Sequence, residues 1–410
     1  MIKMIAAFDS RNCRIFLTGQ FFSLIGTLMN IAATNWLAFT LPFEKSWGSA
    51  ALSVSFVIFA GQIPQLFISP LAGVWIDRLN RRSLLLATQS LSMIQSFAVM
   101  ALLLNNEITL QRLIALSLVQ GLINSFDGPA RQSLYVELLD DRKHLSNALS
   151  LNSTIVHLSR FLGPALAGLI IYNFGVAMCF FIDGLSYAAV LLALYMLQLR
   201  PRISQLQVSR KILTEFKEGL AYVRSVKPIF IFLIFSAVIS FFAMSESALL
   251  PSFASQVLNG NEKTYGLLVS AAGLGALMAS LYLTVGFSKN NIEKLITTSG
   301  VGLGTFLVLF ALSRNIYLSF VLNLAVGGCL LFVLAGCNIV LQNQVEDQKR
   351  GRVMALAHVA FLGMAPLGSL WGGAFASRIG VPAVLILAGA ACFIASLVLA
   401  KNFYPREVVV

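Results

Sequence analysis

Few side chains in this sequence could carry a proton or an ion through an apolar medium, and they stand singly in otherwise uncharged runs. Arg160, Asp183 and Glu246 lie well inside such runs, Asp127 lies near the end of one, and His157 and His358 are embedded in two others. An ionisable group inside a membrane is costly to place and is a functional candidate by default. Glu246 precedes Pro251. Counting back from the end of its run near residue 257 puts it roughly 16 Å deep, at ~1.5 Å per residue. A carboxyl at that depth could bind and release a proton. Glu246 is therefore the first coupling candidate, followed by Arg160, Asp183 and Asp127. Arg160 cannot lose its charge and calls for a carboxylate or carbonyls nearby. Asp183 suits a structural bond, with Arg160 as an available partner, and Asp127 suits gate geometry. The two histidines are expected to be packed and hydrogen-bonded rather than to act as ligands.

Uncharged polar groups recur at similar depth: Asn30, Thr34 and Asn35 in the first run, Gln62 and Gln65 in the second, Gln120 and Asn124 in the fourth, and Asn323 and Asn338 in the tenth. With Trp36, Phe241 and Phe242 they would give an amphipathic substrate pocket. Hydrogen bonds between helices account for most of the amides equally well.

Composition dictates the elements that must position these groups. Of 410 residues, 58% are hydrophobic and 11% charged, against about a quarter charged in a soluble domain. Lipid has to be the solvent for much of the surface. Runs of roughly 20 apolar residues, the length that crosses the hydrocarbon, fall near 13–41, 49–76, 83–104, 111–130, 147–173 and 175–198. A second set falls near 227–257, 264–287, 293–312, 316–342, 351–377 and 381–402. The expected fold is an all-α membrane protein of twelve transmembrane helices in two pseudo-symmetric six-helix bundles. The bundles occupy 1–198 and 227–410, joined by a cytoplasmic linker over 199–226. Ile212, Phe216, Leu220 and Val223 in the linker have helical spacing, which predicts an amphipathic helix at the membrane surface. Gly163-Pro164 in the fifth span is echoed by Ala365-Pro366 in the eleventh, as in a duplicated six-helix architecture, and small residues there would equally permit close helix packing.

The net charge of +12 does not form a basic stripe with interleaved aromatics, so nucleic-acid binding is not expected. With both termini inside, 23 of the 29 Lys and Arg fall in cytoplasmic segments. The outside loops keep Lys45, Arg112, Lys263, Arg314 and Arg378. That asymmetry sets the orientation. Lys3, Asp9, Arg11 and Arg14 interrupt the start, so no cleavable signal peptide is expected. Cys13, Cys179, Cys329, Cys337 and Cys392 have no metal-like spacing and read as small packing residues.

The loop after the second span reads Gly73-Val-Trp-Ile-Asp77-Arg78-Leu-Asn-Arg81-Arg82. It resembles the G-x-x-x-D-R-x-x-R-R/K signature of the major facilitator superfamily at every specified position. The resemblance implies that Asp77 meets the start of the eleventh helix near Gly351 together with Arg131, holding the cytoplasmic side shut. Three further stretches, FDGPARQSLYVELLDDRKHLSNALSLNS, HLSRFLGPALAG and RGRVMALAHVAFLGMAPLGSLWGG, are similar to the bacterial exporter branch that holds enterobactin-type siderophore exporters and macrolide efflux pumps. That resemblance covers essentially the whole chain. In the fifth span Ser150, Ser159, Gly163, Pro164 and Gly168 follow the antiporter pattern G-x8-G-x3-G-P-x3-G, with serine at two of the glycine positions. In this fold the first, fourth, seventh and tenth helices line the cavity.

The combined reading is a proton-coupled exporter of an amphipathic small molecule, a siderophore or drug, working by alternating access. It would act as a monomer in the bacterial cytoplasmic (inner) membrane and use no cofactor beyond the proton gradient. A lysophospholipid or other lipid facilitator is the nearest rival, and a non-transporting membrane sensor a further one. No H-E-x-x-H pair, G-x-S-x-G elbow or Gly-rich phosphate loop supports an intramembrane enzyme.

Overall fold

With lipid as solvent, every backbone N–H and C=O must be satisfied within the chain, and helices do this segment by segment. The computed structural model describes residues 6–41, 49–76, 79–135, 137–139, 144–198, 212–286 and 291–403, and it is helical accordingly. The N-terminal helices are α1 (Arg11–Thr40), α2 (Ala50–Ile76), α3 (Arg81–Leu104), α4 (Leu110–Leu134), α5 (Leu145–Phe174) and α6 (Val176–Met196). They are followed by α7 (Ile212–Ser225), α8 (Lys227–Ala243), α9 (Ser245–Ser252) and a π-helical turn (Phe253–Val257). The last five are α10 (Glu262–Gly286), α11 (Ile292–Leu312), α12 (Ile316–Gln344), α13 (Asp347–Ile379) and α14 (Val381–Phe403).

Among the described residues, eleven helices are long and apolar enough to cross a membrane, with Lys227–Val257 counted as one. Twelve were expected. The missing one is α4, which has 25 residues but carries Gln111, Arg112, Gln120, Asn124, Asp127 and Arg131. Two joints repeat. Gly175 (φ 83°) separates α5 from α6, and Gly380 (φ 84°) separates α13 from α14. Both turns need the left-handed backbone that glycine adopts freely.

The seventh expected span is not one continuous helix. It breaks at Met244 between α8 and α9. Ser245 Oγ donates to the Phe242 carbonyl at 2.6 Å and Ser247 Oγ to the Met244 carbonyl at 2.8 Å. Serine hydroxyls that bond nearby carbonyls loosen the helical ladder. Pro251 lacks the N–H that would bond four residues back. The chain then widens into the π-turn, where the Leu258 N–H reaches the Phe253 carbonyl at 3.1 Å.

The chain divides into two compact units. One comprises Met1–Phe43, Phe56–Gln207 and Gly260–Ser270; the other comprises Glu44–Ser55, Val208–Asn259 and Ala271–Val410. Within the first, α1 packs on α5 and α6, and α3 on α4 and α6. Phe16, Leu17, Leu85, Leu134 and Tyr135 form its buried core at one end of these helices. Within the second, α11 packs on α12 and α14, and α13 on α8 and α9. The linker helix α7 lies on the start of α13. Glu218 pairs with Arg352 at 2.7 Å, and the Lys349 ammonium sits 4.3 Å from the Tyr222 ring centre. Val223, one of the residues that predicted this helix, is buried.

Candidate functional site

In the signature loop, Asp77 and Arg78 lie outside the described residues, so the expected contact of Asp77 with Gly351 and Arg131 does too. Gly73 falls on α2. The loop's last two cations are anchored. Arg81 Nη1 is 2.6 Å from Glu137 Oε1 and donates to the Ser133 carbonyl at 3.2 Å. Arg82 Nη2 donates to the Tyr195 carbonyl at 2.7 Å, placing a cation at the negative end of α6. Arg131 turns back to Asp127 on its own helix, with Nη2 2.8 Å and Nε 3.2 Å from Oδ2.

Asp127 belongs to a larger arrangement. Thr88, Ser92 and Ser96 recur every four residues and so share one face of α3. Thr88 Oγ1 and Gln89 Nε2 donate to Asp127 Oδ1 at 2.9 and 2.6 Å. One turn on, Ser92 Oγ accepts from Gln120 Nε2 at 3.1 Å, and the same amide reaches Asn124 Oδ1 at 3.0 Å. Ser96 Oγ is 2.9 Å from Asp183 Oδ2, which also accepts from Asn30 Nδ2 at 2.5 Å. Thr34 Oγ1 then donates to Asn30 Oδ1 at 3.0 Å. The stripe joins α3 to α4, α6 and α1. Sequence reasoning missed its α3 members, although the i, i+4, i+8 spacing of hydroxyls in an apolar run was the available signal.

The pairing of Asp183 with Arg160 is corrected by this geometry. Asp183 is fully buried and is held by Asn30 and Ser96. Arg160 is exposed and makes no hydrogen bond or ion pair among the described residues. Of the two histidines, His157 is half-buried with its Nδ1 unpartnered among the described residues, and His358 is exposed.

The motif on α5 serves close approach. Ser159 is buried, and a Cβ on Gly163 would lie 2.9 Å from Leu28 Cβ on α1. A Cβ on Gly168 would lie 2.7 Å from the Glu262 carbonyl oxygen, and one on Gly266 would lie 2.6 Å from the Pro164 carbonyl. Bare backbones therefore meet where α5 passes the first turns of α10. Beside them Tyr265 stacks on Trp36 at 5.4 Å and shares a hydrogen bond with Asn35. Lys263 Nζ lies 3.5 Å from the Tyr172 ring centre. Ser150 is exposed on the first turns of α5.

In the second unit, Glu246 follows the helix break, is 6% exposed, and accepts a hydrogen bond from Asn323 of α12. Its Oε1 is buried with no partner among the described residues. Phe242 packs edge-on against Trp371 at 5.2 Å, a partner the sequence did not suggest. Asn338 is exposed and accepts from Gln342 Nε2 at 2.6 Å, and Gln62 is exposed on α2. Among the described residues no group of His, Cys, Asp and Glu could hold a metal.

A family model described as transmembrane secretion effector matches residues 3–407. The staphyloferrin A transporter of Staphylococcus aureus (strain NCTC 8325 / PS 47) is 24% identical over 362 residues, which is 87% of each chain. Macrolide efflux protein A of Streptococcus pyogenes is 22% identical over 351 residues, 84% of this chain and 85% of that one. The crystal structure of the nucleoside transporter NupG superposes with a TM-score of 0.72 at 15% identity, covering 96% of this chain and 99% of the other, a likeness of fold.

Proposed function

Because the chain belongs to the transmembrane secretion effector family of the major facilitator superfamily, we propose that it is a proton-coupled exporter of an amphipathic small molecule, a siderophore or drug. It is a multi-span membrane transporter and not an enzyme. The observation that carries the proposal is Glu246, buried beside Asn323 directly after a break in its helix. Interrupted helices in transporters supply backbone and side-chain groups at mid-depth for substrates and coupling ions. One charge moving across 100 mV supplies about 2.3 kcal/mol, enough to drive uphill export when coupled.

In this reading α4 is the twelfth span, its polar residues satisfied by neighbours, and the spans form two six-helix bundles that alternate access. The cation asymmetry supports cytoplasmic termini and linker; relatives named staphyloferrin A transporter and macrolide efflux protein A support a bacterial cytoplasmic membrane, and the second name supports an outward direction. The protein works as a monomer. Inverted membrane vesicles energised by respiration test the proposal, with erythromycin and the neutral dye N-phenyl-1-naphthylamine as probes. At least one should accumulate in vesicles containing the protein, and a protonophore should collapse that accumulation. Accumulation of a fluorescent lysophospholipid alone would instead favour lipid handling.

A further inference from the structure

Among the described residues, Asp127, Asp183, Glu246 and Arg160 lie inside the membrane-spanning helices, and the three acids are partnered. Asp127 holds Arg131, Asp183 is held by Asn30 and Ser96, and Glu246 is held by Asn323. Arg160 is the exception among the described residues. It sits fifteen residues from Leu145 and fourteen from Phe174 at the ends of α5, so about 22 Å from either end at ~1.5 Å per residue.

The direction it faces follows from the helix itself. Ser153, His157, Arg160, Pro164 and Gly168 succeed one another at intervals of three or four residues and form a single stripe. At one end of that stripe, Pro164 and Gly168 pack against Gly266, so the stripe is not the lipid-facing side. Leu166 and Leu169, half a turn round, are exposed and apolar and are suited to lipid. Toward the other end the stripe is uncovered and polar: Ser153 and Arg160 are exposed, and one turn from Arg160 the Nδ1 of His157 lacks a partner. A guanidinium that cannot lose its charge is therefore exposed about midway along α5, without a partner among the described residues.

We propose that Arg160 binds an oxyanion of the transported molecule, so that the substrate class is an amphipathic small molecule bearing a carboxylate or similar acid. The planar fork of arginine matches a carboxylate through two parallel hydrogen bonds. The partner that Arg160 lacks among the described residues is supplied by the substrate. This inference rests on the exporter reading. An anionic lipid headgroup offers the same chemistry, and the test separates the two sources.

Full-length protein in phosphatidylcholine nanodiscs is titrated with carboxyfluorescein, followed by fluorescence polarisation, and with neutral N-phenyl-1-naphthylamine as the companion probe. Wild type should bind carboxyfluorescein, and Arg160→Gln should weaken binding about tenfold or more, the loss of one charge-assisted pair. Arg160→Lys should retain part of it, and the neutral dye should bind all three proteins alike, which also shows that the variants are folded. Equal carboxyfluorescein binding by wild type and Arg160→Gln overturns the inference, as does no binding by wild type. Abolition of dye binding by phosphatidylglycerol in the discs assigns the site to lipid and overturns it too. Energised vesicles keep the two readings apart. Export of the neutral dye without carboxyfluorescein binding sinks only the anion site; carboxyfluorescein that binds through Arg160 but never crosses sinks only the exporter reading.

Discussion

Asn323 of α12 donates a hydrogen bond to Glu246, which lies just past the break that separates α8 from α9. The pair resembles Asn30 and Asp183 in the first unit, where an asparagine also serves a buried carboxylate. The two differ in what surrounds the acid. Asp183 has a second donor in Ser96, whereas Glu246 sits where the helix backbone is already interrupted. On the proposed reading, coupling belongs to Glu246 and support to Asp183.

Glu246→Gln preserves the shape and the bond to Asn323 but cannot cycle a proton. Accumulation of probe in energised inverted vesicles should fall to the level of protein-free membranes, while downhill exchange of preloaded probe persists. Gradient-dependent accumulation by the Gln variant would move the coupling role to another carboxylate.

Asp183→Leu removes the acceptor shared by Asn30 and Ser96, leaving Ser96 Oγ the Phe180 carbonyl at 2.9 Å and Asn30 Nδ2 the Ser96 hydroxyl at 3.2 Å. A net intramolecular hydrogen bond contributes about 0.5–1.5 kcal/mol, so thermal unfolding in detergent should move down by a few degrees. Transport per folded molecule should be largely kept. A variant as stable as wild type but inactive would make Asp183 part of the transport chemistry instead.

Gly168→Val places a branched side chain where the Glu262 carbonyl and the Gly266 backbone already stand. The two backbones cannot separate without losing the stacking of Trp36 on Tyr265 alongside. Export should drop about tenfold or more at normal membrane abundance, since overpacking a close contact costs ~1–3 kcal/mol. Gly128→Ala, where a Cβ meets nothing within 4 Å, is the matched control and should leave export unchanged.

Asp77→Asn tests the signature loop by its charge alone. The helix-end contact that the signature implies would contribute about 1 kcal/mol, and its loss should slow export several-fold without affecting insertion. Unchanged kinetics would reduce the loop to a topological anchor. Orientation is checked separately by single cysteines at Lys211 and Lys263, which should label from opposite faces of the membrane.

Most of the helices were legible because apolar runs of sufficient length have few alternatives in lipid. The stop at Gly175 and the junction at Gly380 were less so, since a single glycine gives little warning of a turn. What the sequence did not reveal depends on rotation of helices about their axes. Arg160 and Asp183 lie on neighbouring helices and carry opposite charges, which invited pairing. In the structure Asp183 is turned to Asn30 and Ser96, and Arg160 faces another way. The same uncertainty hid the α3 stripe, because Thr88, Ser92 and Ser96 are ordinary residues until their partners on α4 and α6 are known. The break at Met244 was masked by the continuous hydrophobicity of 227–257, and only the local hydroxyl bonds of Ser245 and Ser247 account for it.

The bonds between α3 and α4 also bear on how the chain enters the bilayer. A nascent helix partitions from the translocation channel into lipid according to its own apolarity, and α4 is the helix that falls short among the described residues. Its Gln120 and Asp127 find their partners in Ser92, Thr88 and Gln89 on the preceding helix. α4 would thus wait at the channel for α3 and leave with it as a hairpin, its polar groups already neutralised by the helix synthesised just before. Substitutions on the α3 stripe would then show up as lost biogenesis, degraded before any transport could be measured, although none of those residues need ever touch the cargo.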